Sequence, residues 1–231
     1  MKIIAANFKM NGDREFIDNW FQNFNADTEN LVIVGLPPIY LESSVQNFNK
    51  SNIKIAGQNV SKFNNPGAYT GQMSSAMLND VGVEFCIVGH SEAREHLCED
   101  NESVYEKYNC LKSFSITPIV CIGESLEVRE ANNHLHFISD QIEKFSTNED
   151  KIIFAYEPIW AIGTGLVPTQ EEIEEMSSHI KSYFSQQVTV LYGGSVNSKN
   201  SSEILNMNNI DGVLVGGASL NAEEFANIAQ S

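Results

Sequence analysis

Four polar residues stand at or just past the ends of short apolar runs: Asn7 and Lys9, His90, and Glu157. A carboxylate base, a histidine donor and a fixed cation, with an amide beside them, form a set that removes a proton from a carbon next to a carbonyl. The same set stabilises the enediolate that results. Taken singly, each residue has an ordinary reading: a solvated loop lysine, a satisfied histidine, a carboxylate at a helix start. Gathered at one mouth they do proton-transfer chemistry, so the elements that carry them decide the matter.

Further segments bear on that mouth. YGGS (192–195) and VGGAS (215–219) contain paired glycines that let backbone N–H groups approach a phosphate, the alternative being simple tight turns. The stretch from Pro158 to Pro168 encloses Gly163 and Gly165 and reads as a hinged lid that would keep water from an enediolate. Its plainer reading is a strand-to-helix loop around Trp160. From Gln58 to Met73 neither a helical nor a strand period appears, and so long a loop either reaches a partner subunit or is a surface excursion.

The positioning elements are readable from hydrophobic period. Eight β-branched runs recur at 2–8, 31–36, 52–57, 84–89, 116–123, 151–157, 188–194 and 212–217. Between them lie helical patterns, such as the stripe of Phe16, Ile17, Trp20, Phe21 and Phe24, and capping-box spacings at Thr169/Glu172 and Asn221/Glu224. Continuous apolar strands alternating with helices belong in a parallel sheet covered by helices, and eight such units predict an α/β fold, a closed (β/α)8 TIM barrel. An open doubly wound sheet is the competing architecture. No linker or low-complexity tract divides the 231 residues, so the expectation is one catalytic domain over 1–231.

Composition narrows the partners. A net charge of −16 leaves no electrostatic footprint for nucleic acid or an anionic membrane, so attraction of an anion must be local. The cysteines, Cys86, Cys98, Cys110 and Cys121, lack close pairs and read as free thiols of a reducing compartment. The start, MKIIAANFKMNGDR, has too short an apolar stretch for a secretory leader, and no run approaches a membrane span; a soluble, cytoplasmic protein is expected. His134 and His136 are two apart on a helical pattern and point to different faces, and no dinucleotide fingerprint follows the first strand. Neither a metal nor a cofactor is expected.

The segments NFKMNG (7–12), GAYTGQMS (67–74), VGHSEAR (88–94), CIGE (121–124), YEPIWAIGTG (156–165), YGGSV (192–196) and VGGASL (215–220) together closely resemble the triosephosphate isomerase family, in the family's order. The resemblance implies a cofactor-independent aldose–ketose isomerase that interconverts D-glyceraldehyde 3-phosphate and dihydroxyacetone phosphate in glycolysis and gluconeogenesis. It implies Glu157 as the base, His90 as a neutral electrophile, and Lys9 and Asn7 as holders of substrate oxygens; carboxylate base, neutral histidine and lid are this family's known pattern. It further implies Gly163, Ser195, Gly216 and Gly217 at the phosphate, a homodimer in which Thr70 reaches the neighbouring site, and Glu92 beside the lysine. A helix opening at His90 would itself oppose a second positive charge there.

Departures from the family pattern are Gln72 and Ala93, where glutamate and arginine are usual, and Leu166-Val167-Pro168 at the end of the lid. The chain is also short for the family, which predicts trimmed outer helices after strands 5 to 7. Two rivals stand beside the resemblance. An aldolase would need a lysine where Glu157 ends its strand, and a non-catalytic phosphate-binding barrel would not need the full set of four.

Overall fold

The computed structural model describes residues 1–50, 52–145, 152–162, 166, 168–185 and 187–231. Eight strands run in chain order: β1 (Ile3–Asn7), β2 (Leu31–Leu36), β3 (Ile53–Gly57), β4 (Phe85–Val88), β5 (Thr117–Ile122), β6 (Ile153–Tyr156), β7 (Thr189–Tyr192) and β8 (Gly212–Val215). Each pairs parallel with the next, and β8 pairs with β1 from Ile3↔Gly212 to Ala6↔Val215, which closes the barrel and excludes the open sheet. The helices are α1 (Arg14–Asn23), α2 (Leu41–Phe48), α3 (Ser75–Asp80), α4 (Ser91–His96), α5 (Asn101–Lys112), α6 (Leu126–Glu130), α7 (His134–Ile142), α8 (Gln170–Tyr183), α9 (Ser201–Leu205) and α10 (Ala222–Ala229). The helices α6 and α9, after strands 5 and 7, have only five residues each.

Side chains alternate across each strand. One set, Ala5, Ile33, Ala56, Ile87, Ile119, Cys121, Ile153, Ala155, Leu191 and Leu214, fills the barrel interior. The other, including Ile4, Ala6, Val32, Val34, Ile55, Val120, Phe154, Val190 and Val213, packs beneath the helices. Both sets are buried, which is why the strands read as continuous apolar runs rather than alternating ones.

Local signals set the helix ends. Asp13 caps α1 by accepting from the Phe16 N–H at 2.8 Å, and the stripe predicted there turns inward. Trp20 stacks on Phe24, meets Phe8 edge-on and donates its indole N–H to the Ser219 carbonyl at 2.8 Å, joining α1 to the chain after β8. Thr169 and Glu172 form the full capping box of α8. At α10 only half of the expected box forms: Asn221 accepts from Glu224 N–H, but the Glu224 carboxylate turns to Ser198, accepting from its N–H at 2.7 Å and its hydroxyl at 2.9 Å. A backbone donor in the loop between β7 and α9 outcompetes the cap.

The four cysteines are free thiols. No helix among the described residues is long and apolar enough to cross a membrane.

Candidate active site

Moving two residues along the chain from the last interior side chain of a strand reaches the mouth of the barrel. From Ala5 this gives Asn7, from Ala56 Gln58, from Ala155 Glu157, and from Ile33, Cys121, Leu191 and Leu214 the glycines 35, 123, 193 and 216. The small residues are a spatial requirement of the base: a Cβ on Gly193 would lie 2.9 Å from Glu157 Cγ, and one on Gly123 only 1.8 Å from the Glu157 carbonyl oxygen. A cavity of about 220 Å³ results, lined by Asn7, Lys9, His90, Glu157 and the Gly193–Ser195 and Gly216–Gly217 segments.

Lys9 follows β1 with φ of 53°, a left-handed conformation uncommon outside glycine, which points to a functional constraint at that position. Its N–H donates to Asn7 Oδ1 at 2.9 Å, and Gln58 Nε2 donates to the same oxygen at 3.3 Å. A backbone N–H cannot be an acceptor, so the Asn7 amide is fixed with its oxygen occupied and its NH2 left to donate. The Lys9 ammonium lies 2.6 Å from Glu92 Oε1. Burial pushes the Glu92 carboxyl up, but Lys9 and His90 outweigh it and its pKa falls below the ordinary value.

His90 is the N-cap of α4, as the sequence suggested. Its Nδ1 accepts from the Glu92 N–H at 3.2 Å, which in the neutral ring puts the proton on Nε2. That Nε2 lies 3.0 Å from Glu157 Oε1, while Glu157 Oε2 accepts from the Ser91 N–H at 3.1 Å. Burial lowers the histidine pKa, but Glu157 and then Glu92 raise it further, and the net shift is upward. The helix start expected to oppose protonation is present; the carboxylate lying against the ring has the larger effect.

The predicted phosphate residues Ser195, Gly216 and Gly217 line the same cavity, and Ser195 Oγ donates to the Ala161 carbonyl at 2.8 Å. A Cβ at Gly216 would stand 3.4 Å from Lys9 Cε, while Gly217 opens a short 3-10 segment through Leu220 with open space around it. Gly163, with Gly165 and Val167, lies outside the described residues. Thr70 is exposed in the long loop, which holds neither helix nor strand between β3 and α3. His134 approaches Glu175 and His136 approaches Asp140, and among the described residues no cluster has the composition of a metal site.

Sequence reasoning passed over Glu124, although CIGE contains it. Its side chain is fully buried behind Glu157 and accepts from Tyr156 OH at 3.0 Å and Trp160 Nε1 at 3.1 Å, so it fastens the first residues of the segment after β6. Burial raises its pKa, against the two hydrogen bonds and Arg129, whose Nη1 is 3.8 Å away. Gln58 and Ser91 were passed over too. A glutamine opening a loop and a serine after a histidine carry no signal until their partners are known.

Comparison with known proteins agrees with this geometry. The family model described as triosephosphate isomerase matches residues 2–231. A triosephosphate isomerase from Neurospora crassa is 41% identical over 236 residues, covering 95% of this chain and 94% of the relative. One from Alkaliphilus oremlandii is 42% identical over 242 residues (98% and 97%), and one from Mycoplasma mobile 40% over 238 residues (98% of each). With a closed eight-stranded barrel, a carboxylate and an imidazole meeting at its mouth, and this likeness along its length, the chain belongs to the triosephosphate isomerase family.

Proposed function

We propose that this chain, working as one catalytic unit, interconverts dihydroxyacetone phosphate and D-glyceraldehyde 3-phosphate through an enediolate. The observation that carries the reading is the contact between Glu157 and His90 Nε2 at the floor of a cavity that also holds Lys9 and Asn7. Glu157 and His90 lie in direct contact across the reacting position. Substrate entering between them takes over both: the carboxylate, freed from Ser91 and His90, removes a proton from C1 of the ketose, and His90 Nε2–H donates to the carbonyl oxygen. The negative charge forms on oxygens facing the Lys9 ammonium and the Asn7 NH2. Protonated Glu157 then returns the proton to C2, while His90 gives its Nε2 proton to the C2 oxygen and takes up the proton of the C1 hydroxyl, and the aldehyde forms. C1 is oxidised as C2 is reduced within one molecule, so the chemistry needs no external oxidant or reductant.

A neutral His90 suits this role. Once substrate separates it from Glu157, the strongest influence raising its pKa is gone, while burial and the Glu92 N–H on Nδ1 keep the ring uncharged. A neutral donor is better matched to an enediol oxygen than a cation would be. For the phosphate, Ser195, Gly216 and Gly217 line the cavity across from the base, and their N–H groups and Lys9 supply a local positive field within a chain of net charge −16. Gly163 belongs to the same assignment.

A homodimer is part of the reading. The long loop is pre-formed: Ser61 N–H donates to the Met73 carbonyl at 2.7 Å at its base, and Phe63 stacks on Tyr69 with ring centroids 3.9 Å apart, presenting Thr70. Met10, Ile39 and Leu97 are exposed apolar residues, a composition suited to burial against a second copy. Sedimentation at monomer mass at micromolar concentration would remove the role of Thr70. A cytoplasmic setting accords with the triose phosphate substrate and with free thiols.

The deciding experiment follows dihydroxyacetone phosphate with the protein in D2O by NMR. Aldehyde formation with deuterium at the exchanged carbon, abolished in Glu157→Gln, is expected. Binding without exchange would make the protein a non-catalytic phosphate-binding barrel.

A further inference from the structure

We infer that Arg94 is a positioning residue for this reaction, a guanidinium strap that sets the spacing of His90 and Glu157 from behind the cavity. The inference rests on the isomerase reading and adds a residue whose side chain does not line the cavity. Its starting point is where the sheet stops. The β4–β5 ladder runs from Phe85↔Thr117 to Val88↔Val120, and at Gly89 the chain leaves it with φ of +68°. His90 follows immediately, so the histidine hangs on backbone that the sheet no longer holds.

Arg94 takes over at that point. Its Nε donates to the Gly89 carbonyl at 2.8 Å, its Nη2 to the Cys121 carbonyl at 3.2 Å, and its Nη1 to Asn101 Oδ1 at 2.8 Å. One rigid fork thereby joins the residue before the histidine, the end of β5 and the start of α5. A lysine, with a point charge in place of a planar fork, cannot reproduce that set. Gly89 is matched to it, because a Cβ there would lie 2.8 Å from Val104 Cγ1 and 3.1 Å from Arg94 Nη2.

The other end of the strap leads to the base. Cys121 is an interior residue of β5 paired with Ala155 of β6, and the next residue, Ile122, accepts from the Glu157 N–H at 2.7 Å. The buried Cys121 thiol has its pKa raised well above the ordinary value by burial first and by adjacent Glu157 next. Arg94 thus holds the strand against which Glu157 is set and the residue from which His90 departs. It also keeps a positive charge near the carboxylate, with which it interacts electrostatically.

The test compares Arg94→Lys and Arg94→Met by steady-state kinetics, with thermal unfolding recorded alongside. Displacement of the two groups by a fraction of an ångström is expected to lower kcat about thirtyfold in Arg94→Met and about tenfold in Arg94→Lys, with KM within threefold in both. A purely structural arginine would lower the melting temperature and leave kcat and KM per folded molecule unchanged, and that result overturns the inference.

Should Arg94→Met fail to fold, Arg94→Lys and Asn101→Ala decide. The latter keeps the cation and frees one nitrogen of the fork. Its expected result is kcat lower by about threefold with KM unchanged; unchanged kcat in both variants overturns the inference. A wild type without isomerase activity would instead sink the functional reading, which separates the two failures.

Discussion

The interior of the barrel holds two regions one step of the pleat apart, and they differ in almost every property. The lower one, built from Ile33, Ile87, Cys121, Leu191 and Leu214 with small Ala5, Ala56 and Ala155 between them, is apolar and buried. The upper one, two residues further along the same strands and so about 6–7 Å higher, consists of Asn7, Gln58, Glu157 and glycines. In the lower region volume is filled and nothing needs a partner. In the upper one volume is withheld, so that Glu157 has room beside Gly193, and each polar group is tied to another. Stability and chemistry therefore use the same period-two pattern at different heights, and a substitution should disturb one while leaving the other.

Leu191 and Gly193 on β7 test that separation most directly. Leu191→Ala leaves a void in the packed layer and is expected to cost about 2–5 kcal/mol of stability by denaturant unfolding, while activity per folded molecule stays near wild type. An activity loss matching the stability loss would show the two regions to be one unit. Gly193→Ala is the reverse case. The new Cβ meets Glu157 Cγ at 2.9 Å, so kcat is expected to fall about a hundredfold, equivalent to about 2.7 kcal/mol, with the unfolding midpoint nearly unchanged. Wild-type turnover in that variant would mean the base does not occupy this position during reaction.

A pH experiment sharpens the contrast, since the lower region does not titrate in the neutral range. Burial lowers the folded-state pKa of His90, but Glu157 at its ring outweighs it and the net shift is upward. The stabilisation from that pair is therefore complete below the ordinary histidine value of about 6.5 and is lost as pH rises through the higher folded-state value. Urea unfolding at about pH 6 and about pH 9 is expected to show wild type losing stability relative to His90→Asn as pH rises. The same difference at both would remove the pair from the account. The smallest effect is expected of Gly216→Ala, whose Cβ would touch Lys9 Cε at an ordinary 3.4 Å. KM should rise by about threefold or less with kcat retained, which steady-state kinetics would check.

The alternation that produces both regions is written in the chain: Ala5 then Asn7, Ala155 then Glu157, Leu191 then Gly193. That is why strand count and the polar residues at the mouth followed from period and position, while closure over an open sheet came with the pairing of β8 to β1. Other features did not follow. Asn221/Glu224 has the spacing of a full capping box, yet Glu224 is drawn off by Ser198, 26 residues away along the chain. A helix start at His90 argued for a lowered pKa, and burial acts in the same sense, yet Glu157, 66 residues beyond its Ser91 contact, turns the net shift upward. Glu124 was part of a recognised motif but gained a reason only when its carboxylate was found buried against Tyr156 and Trp160.

Hydrophobic period, glycine placement and residue type are properties of short windows, and short windows alone determined eight strands, their helices and the candidates for base, electrophile and cation. Distances between those candidates, the left-handed turn at Lys9, the fork of Arg94 across two strand ends and the direction of each pKa shift were decided only by closure of the barrel. The physical reason is range. Backbone preference acts over a few residues, whereas a hydrogen bond or a field acts over a few ångströms, and only the folded chain makes residues 7, 90 and 157 neighbours.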